Sequence, residues 1–533
     1  MNTKLLLYCT SFFCGMSIMA VELSASKLLA PYFGTSQVIW TVIIGLIMIS
    51  LSIGNILGGR SADKHNSMNR LYFYIWIASL WVAVIPFVGK YIIAGITGLL
   101  VVFLPSNLLV TGSALSCLII FSAPLVVLGM VSPYLVKLGV TDMDTSGKTA
   151  GQIYAMNTIG SIIGTFLPTF VTIPTIGTGK TFLVFSLVLN VICITYFILN
   201  KTKVIRVSVS LLIILGLCLI PFSNSYAFWK DNVIEDESLY NYLQVSEKDN
   251  TVYLSTNVAF GVQSVYKKDN NLSGFYYDYG LMAPMFIKDT TLNKKLDVLV
   301  LGMGTGTYAK QIKRYYPNTS TDGVEIDQKI VDLSKQYFDL KDEEANIYVT
   351  DGRTFLSDKE CKTYDIIMVD AYHDITIPFH MATQEFFTEV SKHLKPGGVI
   401  LMNINMKSKG DNPINQYLTQ TVKSVMKKVY TCDIKSGTNM LVFASNDVNC
   451  VENYAHNISS VEVDDSGAYA KIAQYVKENL KEVTKSELVF TDDWAPVDVL
   501  GQSLLNDMVE DELGFVKETI DKKGIKGLFE LLE

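Results

Sequence analysis

The sequence predicts a multi-pass α-helical membrane domain followed by an α/β Rossmann-like domain that opens with a small β-sheet subdomain. Three observations predict it. Residues 1–222 are almost continuously apolar. From residue 297 onward, apolar strand-like runs alternate with helical segments. The first of those runs, Val298-Leu-Val-Leu301, ends in Gly302-x-Gly304-x-Gly306, and the second ends in an acid, Glu325, nineteen residues after the last glycine. The expected domain bounds are 1–222 for the helical bundle, 223–290 for the β subdomain and 291–533 for the Rossmann-like domain.

The apolar half justifies itself first. Runs near 5–30, 37–58, 71–94, 107–136, 151–173, 178–199 and 204–222 each approach the ~20 residues that cross a bilayer. Backbone groups in hydrocarbon must satisfy one another, so these runs are expected as helices, and the lipid bilayer is the first partner. The opening run is too long to be a simple cleaved leader. Seven spans are counted, and the segment 91–104 before Pro105 is a candidate eighth. The loop Gly58–Arg70 carries Arg60, Lys64 and Arg70, and the loop near 200 carries Lys201, Lys203 and Arg206, which favours the cytoplasmic side for both. Seven spans then place the following domain outside and eight place it inside. A cytosolic cofactor pool favours the cytoplasmic side, which is the expectation adopted. Glu22 and Lys27 lie late in the first run, either pairing near the interface or lining the bundle interior. Gln152, Tyr154, Asn157, Thr158 and Ser161, set among Gly151, Gly160 and Gly164, have the small-residue spacing of close helix packing.

Charge divides the chain at the same place. Residues 1–222 hold twelve Lys/Arg and four Asp/Glu, a net of +8; the remainder holds 32 basic and 47 acidic residues, a net of −15, and the two give the overall −7. An acidic soluble half offers no basic groove, so nucleic acid is not expected as a partner. The eight cysteines show no CxxC or Cys/His spacing, which predicts neither a disulfide framework nor a metal site.

The soluble half begins with short alternating strands at 240–245, 252–254 and 262–266, punctuated by Asn and Gly, as in a small antiparallel sheet. Strands then follow at 297–301, 320–325, 346–349, 364–369 and 398–403, with helices at 306–315, 328–338, 383–394 and 413–428. That succession predicts a parallel sheet, closed by an antiparallel pair at 430–436 and 440–444. Pro396-Gly-Gly398 is expected to turn the chain from helix into strand. Ligands of such sheets sit beyond the carboxyl ends of the strands. There the glycines let the backbone approach a nucleoside, and Glu325 is placed to accept hydrogen bonds from ribose hydroxyls. The single residue between the second and third glycines fits an S-adenosylmethionine methyltransferase-like site better than a dinucleotide site. Asp351-Gly352-Arg353 follows the third strand, and Asp370, in Val369-Asp-Ala-Tyr372, ends the fourth. Each acid alone reads as a helix cap; together they predict one site.

With these residues in place, the soluble half resembles the spermidine synthase (polyamine aminopropyltransferase) family over about residues 235–500. Glu237-Ser-Leu-Tyr240, Gln263-Ser264, Tyr276-Tyr-Asp-Tyr279, Thr383-x-Glu385-Phe-Phe387 and Thr491-Asp-Asp-Trp-Ala-Pro496 carry the resemblance further. The whole chain is similar to the membrane-fused branch of that family, through Glu22-Leu-x-Ala-Ser-Lys-Leu-Leu-Ala-Pro-Tyr-Phe-Gly34 and Gly129-Met-Val-Ser-Pro-Tyr134. The resemblance implies a transferase of polyamine biosynthesis. It would use decarboxylated S-adenosylmethionine as co-substrate, no metal and a small amine as acceptor, and it allows a homodimer. By resemblance, Gly302, Gly304, Thr305, Gly306, Glu325, Asp351, Gly352 and Gln244 hold the donor. Glu325 meets the ribose and Asp351 the adenine amino group. Gln263, Tyr277, Asp278 and Tyr372 face the acceptor. Asp370 takes the amine proton, with His373 and Asp374 as further catalytic candidates.

Three positions depart from the family pattern. Thr305 stands where an acid usually meets the aminopropyl ammonium, His373 stands in the place of a second acid with Asp374 one residue late, and Asp278 stands where a His is usual. Two other functions therefore stay open. One is an S-adenosylmethionine-dependent methyltransferase on the same domain. The other is a transporter or sensor that binds a polyamine or nucleoside without turnover.

Overall fold

The structure, a computed structural model, describes residues 3–103, 107–140, 142, 144–220, 234–257, 262–269, 271–358, 361–372, 377–405, 413–435, 437–459 and 467–506. These fall into two compact units. The first holds the described residues up to Leu243 together with Asn257, and the second holds the rest.

The first unit is helical: α1 (Thr3–Phe33), α2 (Gln37–Lys64), α3 (Met68–Phe103), α4 (Leu108–Gly129), α5 (Val131–Gly139), α6 (Ser146–Leu167), a π-helical turn (Pro168–Thr172), α7 (Ile173–Leu199) and α8 (Val204–Cys218), followed by a short strand, β1 (Ile234–Glu237). Among the described residues, five helical runs are long and apolar enough to cross a membrane: Lys4–Phe33, Gln37–Lys64, Met68–Val101, Leu108–Gly139 and Ser146–Leu199. These are compatible with a multi-pass membrane domain. The last run is interrupted at Gly177, whose φ of +83° is not helical, so the two expected spans 151–173 and 178–199 meet there end to end. The candidate eighth span is corrected. Residues 91–103 continue α3 through Pro86 instead of forming a separate helix. The expected loop Gly58–Arg70 is also mostly helical, because α2 runs to Lys64 and α3 starts at Met68.

Glycine decides how closely these helices approach. A Cβ on Gly160 would stand 1.9 Å from the Phe12 carbonyl oxygen, and one on Gly164 would stand 2.0 Å from that of Met16. Gly15 meets the Asn157 carbonyl in the same way from the other side. Side chains then bridge the gap. Tyr8 Oη donates to Gln152 Oε1 (2.6 Å), and Ser11 Oγ donates to the Ile153 carbonyl (2.7 Å). Gln152, Asn157, Gly160 and Gly164 of α6 thus serve α1–α6 packing, as small-residue interfaces do in membranes, whereas Gly151, Tyr154 and Thr158 of the expected set are exposed. Late in α1, Lys27 Nζ donates to the Leu239 carbonyl (2.8 Å).

In the second unit, β2 (Tyr242–Lys248), whose first two residues belong to the first unit, runs antiparallel to β3 (Thr251–Ser255), which pairs in turn with β4 (Val262–Lys267). A short helix, α9 (Tyr276–Gly280), and a 3₁₀ turn at Ala283–Phe286 lead into the α/β part. There the order is β5 (Leu296–Leu301), α10 (Thr307–Tyr315), β6 (Thr319–Glu325), α11 (Gln328–Tyr337), β7 (Asn346–Val349), α12 (Gly352–Leu356), β8 (Tyr364–Val369), α13 (Gln384–Lys392), β9 (Leu394–Ile404), α14 (Ile414–Val425), β10 (Lys428–Asp433), β11 (Met440–Ser445), α15 (Cys450–Ser459), α16 (Ala468–Asn479) and β12 (Lys481–Glu482). The sheet order is β12-β10-β11-β9-β8-β5-β6-β7. Strands β5 to β9 pair in parallel, and β11, β10 and β12 add antiparallel.

Burial on both faces explains the continuous apolar runs. Val298 and Val300 of β5 pack on one side with Ile366, Met368, Leu401 and Tyr308, while Leu299 and Leu301 pack on the other with Ile367, Val369, Met402 and Phe386. Pro396-Gly-Gly398 does not precede the fifth parallel strand as expected. It lies inside β9, where pairing with β8 shifts register between Tyr364 and Ile366 and Gly397 adopts φ +78°. A bulge accommodates the proline, which has no N–H for the ladder. The strand order reverses at β5, between β6 and β8, and this is where an α/β sheet opens a crevice for a ligand.

Candidate active site

The glycine loop leaves β5 at this reversal point. Gly302, Gly304 and Gly306 all have positive φ (83°, 56° and 81°). A Cβ on Gly302 would lie 2.5 Å from the Asp370 carbonyl oxygen, and one on Gly306 would lie 2.6 Å from Leu340 Cδ1. The loop is tied to both neighbours. Gly302 N–H and Met303 N–H donate to the Val324 carbonyl, each at 2.9 Å. Thr305 N–H donates to Ser264 Oγ (3.3 Å), and Thr307 Oγ1 donates to the Val265 carbonyl (2.8 Å), so β4 lies against the loop and Gln263-Ser264 gains a structural reason. Thr305 is fully buried, and its hydroxyl oxygen has no hydrogen-bond partner among the described residues.

Glu325 closes the loop from β6. Its Oε2 accepts from Gly304 N–H (2.9 Å) and its Oε1 from Asp327 N–H (3.1 Å). Burial pushes the carboxyl up to about 7. Hydrogen bonds from the backbone N–H groups of Asp327, Gly304 and Ile326 oppose the rise, and the nearby Asp327 charge adds to it. A carboxylate oxygen keeps a second acceptor direction after one bond, so Glu325 retains capacity for ribose hydroxyls.

Asp370, one residue past β8, is the other raised acid. Tyr276 Oη donates to its Oδ2 (2.6 Å), and Asn403 Nδ2 donates to its Oδ1 (2.8 Å). Burial lifts it to about 7, although part of the residue remains reachable by solvent. The two donors oppose the rise, and the charge of Glu325 reinforces it. Burial raises both carboxyls, and the charge of Glu325 adds to the rise of Asp370, so both sit in poorly solvated surroundings.

Asp351 belongs to a third cluster. It caps α12, with Oδ1 accepting from Thr354 N–H (2.8 Å), and its Oδ2 lies 3.1 Å from His380 Nε2. Burial works to raise it, but these hydrogen bonds outweigh burial and hold it below the ordinary carboxylate range. Beside it, Arg353 grips Asp492 with two bonds (2.8 and 2.6 Å) and donates to the His380 carbonyl (2.9 Å). Thr383 Oγ1 also donates to Asp492 (2.7 Å), and Glu385 accepts from Asp492 N–H (3.0 Å). Asp351-Gly-Arg353, Thr383-x-Glu385 and Thr491-Asp-Asp, far apart in sequence, thus form one hydrogen-bonded corner that fixes α12. Gly352 leaves room for Met381.

The remaining candidates are distributed as follows. Tyr277 is buried, donates through Oη to the Gln263 carbonyl (2.8 Å), and stacks near Tyr276 with ring centroids 4.0 Å apart. Asp278 is buried and its carboxylate is engaged by Ser273 N–H, Ser273 Oγ and Gly274 N–H at 2.6–2.9 Å, which orders the turn before α9. Tyr372 Oη donates to the Asn403 carbonyl and accepts from Asn405 N–H (3.0 Å). Gln244 is fully buried on β2, and Gln263 Nε2 reaches Thr256 Oγ1 (3.3 Å). His373 and Asp374 lie outside the described residues. No group of three or more His, Cys, Asp or Glu side chains among the described residues is arranged to hold a metal.

The sequence reading did not single out Tyr276, Asn403, His380 or Asp492. Tyr276 and Asp492 lie within the motifs Tyr276-Tyr-Asp-Tyr279 and Thr491-Asp-Asp-Trp-Ala-Pro496, but which phenol of Tyr276-Tyr277 faces Asp370 depends on the phase of α9. Asn403 follows the same rule that picked the acids, since it sits at the carboxyl end of a parallel strand.

Comparison with known proteins adds a lineage. The family model described as "Spermine/spermidine synthase domain" matches residues 283–453. A "probable polyamine aminopropyl transferase" of Bifidobacterium longum is 41% identical over 356 residues, covering 63% of this chain and 78% of that protein. A polyamine aminopropyltransferase of Oceanobacillus iheyensis is 25% identical over 389 residues, covering 68% of this chain and 70% of the relative. Among solved structures, the spermidine synthase of Thermotoga maritima aligns with a TM-score of 0.34 at 18% identity, over 53% of this chain and 88% of the other.

Proposed function

The chain belongs to the polyamine aminopropyltransferase (spermidine synthase) family of transferases, and on that premise we propose that its second unit moves an aminopropyl group from decarboxylated S-adenosylmethionine to a polyamine-type amine. The helical unit anchors the enzyme in a membrane, with the catalytic unit on the cytoplasmic side where such a donor is available. The donor's sulfonium supplies an electrophilic carbon with a good leaving group, so the chain's own task is to place and deprotonate the acceptor. Glu325 and the glycine loop hold the ribose end, and Asp351 takes the adenine amino group. Asp370 accepts the proton of the attacking amine, and Tyr277 and Tyr372 border the acceptor.

One observation carries the reading. Asp370 is a half-buried carboxyl poised near 7, held from two sides and within electrostatic reach of Glu325. A base of that kind is ionised enough at neutral pH to accept a proton, yet basic enough to draw one from an amine.

Thr305 supports a second reading. A buried hydroxyl in place of an acid gives no counter-charge for an aminopropyl ammonium, and ordinary S-adenosylmethionine then remains a rival donor. Equilibrium titration of the purified full chain with each donor separates the two. Tighter binding of the decarboxylated donor supports aminopropyl transfer. Tighter binding of the carboxylated donor, followed by methyl transfer to an amine, overturns it.

A further inference from the structure

Two carboxamides in series back Asp370 on the side away from Tyr276. Asn403, at the end of β9, is 2% exposed and spans two partners. Its Nδ2 donates to Asp370 Oδ1 (2.8 Å), while its Oδ1 accepts from Asn439 Nδ2 (3.0 Å). An ionised carboxylate only accepts, so the amide must turn its nitrogen toward Asp370. Asn439 completes the polarity by donating to the oxygen left at the other end. Asn439 is steadied by Asn405 Oδ1 (3.4 Å), and the Asn403 backbone is pinned by Tyr372 Oη. Register brings the pair together: β9 pairs antiparallel with β11, setting Asn403 opposite Leu441 and Ile404 opposite Met440, and Asn439 immediately precedes β11.

We propose that Asn403 is a positioning residue for Asp370, oriented by Asn439, and that this carboxamide pair fixes both the direction and the proton affinity of the base. The inference rests on aminopropyl transfer with Asp370 as proton acceptor. Among the described residues, the titratable groups that bear on Asp370 are Tyr276 and Tyr277 of α9, Glu325 at the end of β6, and Tyr372 just after β8. Of these, only Tyr276 donates a hydrogen bond to it, so Asn403 supplies the second donor that favours the ionised form. Removing that donor must make Asp370 harder to ionise.

Asn403→Leu is the decisive substitution because it keeps roughly the side-chain volume and removes the donor altogether. The pH dependence of kcat/KM should show an acidic limb governed by Asp370. In Asn403→Leu that limb moves to higher pH by about one unit or more, because Asp370 loses a donor that favours its ionised form. Asn439→Ala keeps Asn403 but frees its amide to turn, and should move the limb in the same direction by less, with KM for the donor within about twofold of the wild type. An unchanged limb in both variants, with the wild type active, overturns the proposal. A fall in kcat with an unshifted limb also overturns it, since that is what loss of packing alone produces. Absence of aminopropyl transfer by the wild type is a different result, which removes the underlying reading of the site.

Discussion

Asp370 and Glu325 are two acids that the fold keeps from ionising easily, and their chemistry is best tested one atom at a time. Asp370→Asn preserves size and hydrogen-bonding shape but cannot accept the amine proton. It should lower kcat by about 10²–10⁴-fold, while titration calorimetry shows donor affinity nearly unchanged; full activity would remove Asp370 from the proton transfer. Glu325 makes a prediction about stability. Its carboxyl ionises near 4 in an unfolded chain and at about 7 in the folded one. The folded state therefore holds the proton more tightly. This contribution is fully present below the unfolded value and is lost as pH rises through the folded one. Without ligand, Glu325→Gln should gain on the wild type between pH 5 and pH 8, by roughly 1–3 kcal/mol, read from paired thermal melts. Parallel curves for the two proteins would contradict this.

At the scale of elements, the glycine loop was legible because positive φ leaves a local mark that only glycine bears without strain. Gly302→Ala should cost about 1–3 kcal/mol for its φ alone, and more because the new methyl meets the backbone of Asp370. Stability and donor binding should both fall, measured by denaturation and titration. The Arg353–Asp492 clamp is different, being part-exposed and screened by water. Asp492→Asn should cost less than about 1 kcal/mol in the same denaturation assay, and a larger loss would mean the corner holds more than α12. The parallel strands and their acids were also legible, since alternating β and α runs place strand ends on one edge. Two kinds of feature were not. Asn403 and Asn439 meet only through the β9–β11 register, which no local pattern encodes. The bonds by which Ser273 and Gly274 hold the Asp278 carboxylate were likewise not legible, because a carboxylate beside a site and a carboxylate ordering a turn are the same residue type in a sequence.

At the scale of the whole molecule, a helical unit fit for a membrane and an acidic α/β unit share one chain. Composition announced that division, because hydrocarbon and water select different residues. The span count was less legible, since Gly177 breaks one helical run and Pro86 fails to break another. The helical unit depends on glycine contacts. Gly160→Leu should force α1 and α6 apart and lower the melting temperature of the detergent-solubilised protein, at a cost of about 1–3 kcal/mol or more; an unchanged melt would show that this close contact is dispensable. The central claim concerns the other unit, and product mass tests it most directly. The purified full chain is incubated with decarboxylated S-adenosylmethionine and a panel of amines, and the products are weighed by mass spectrometry. Aminopropyl transfer predicts an amine heavier by one aminopropyl unit, formed together with methylthioadenosine and absent in Asp370→Asn. An amine gaining only a methyl group from the ordinary donor, or donor binding with no new amine under any condition, would contradict it.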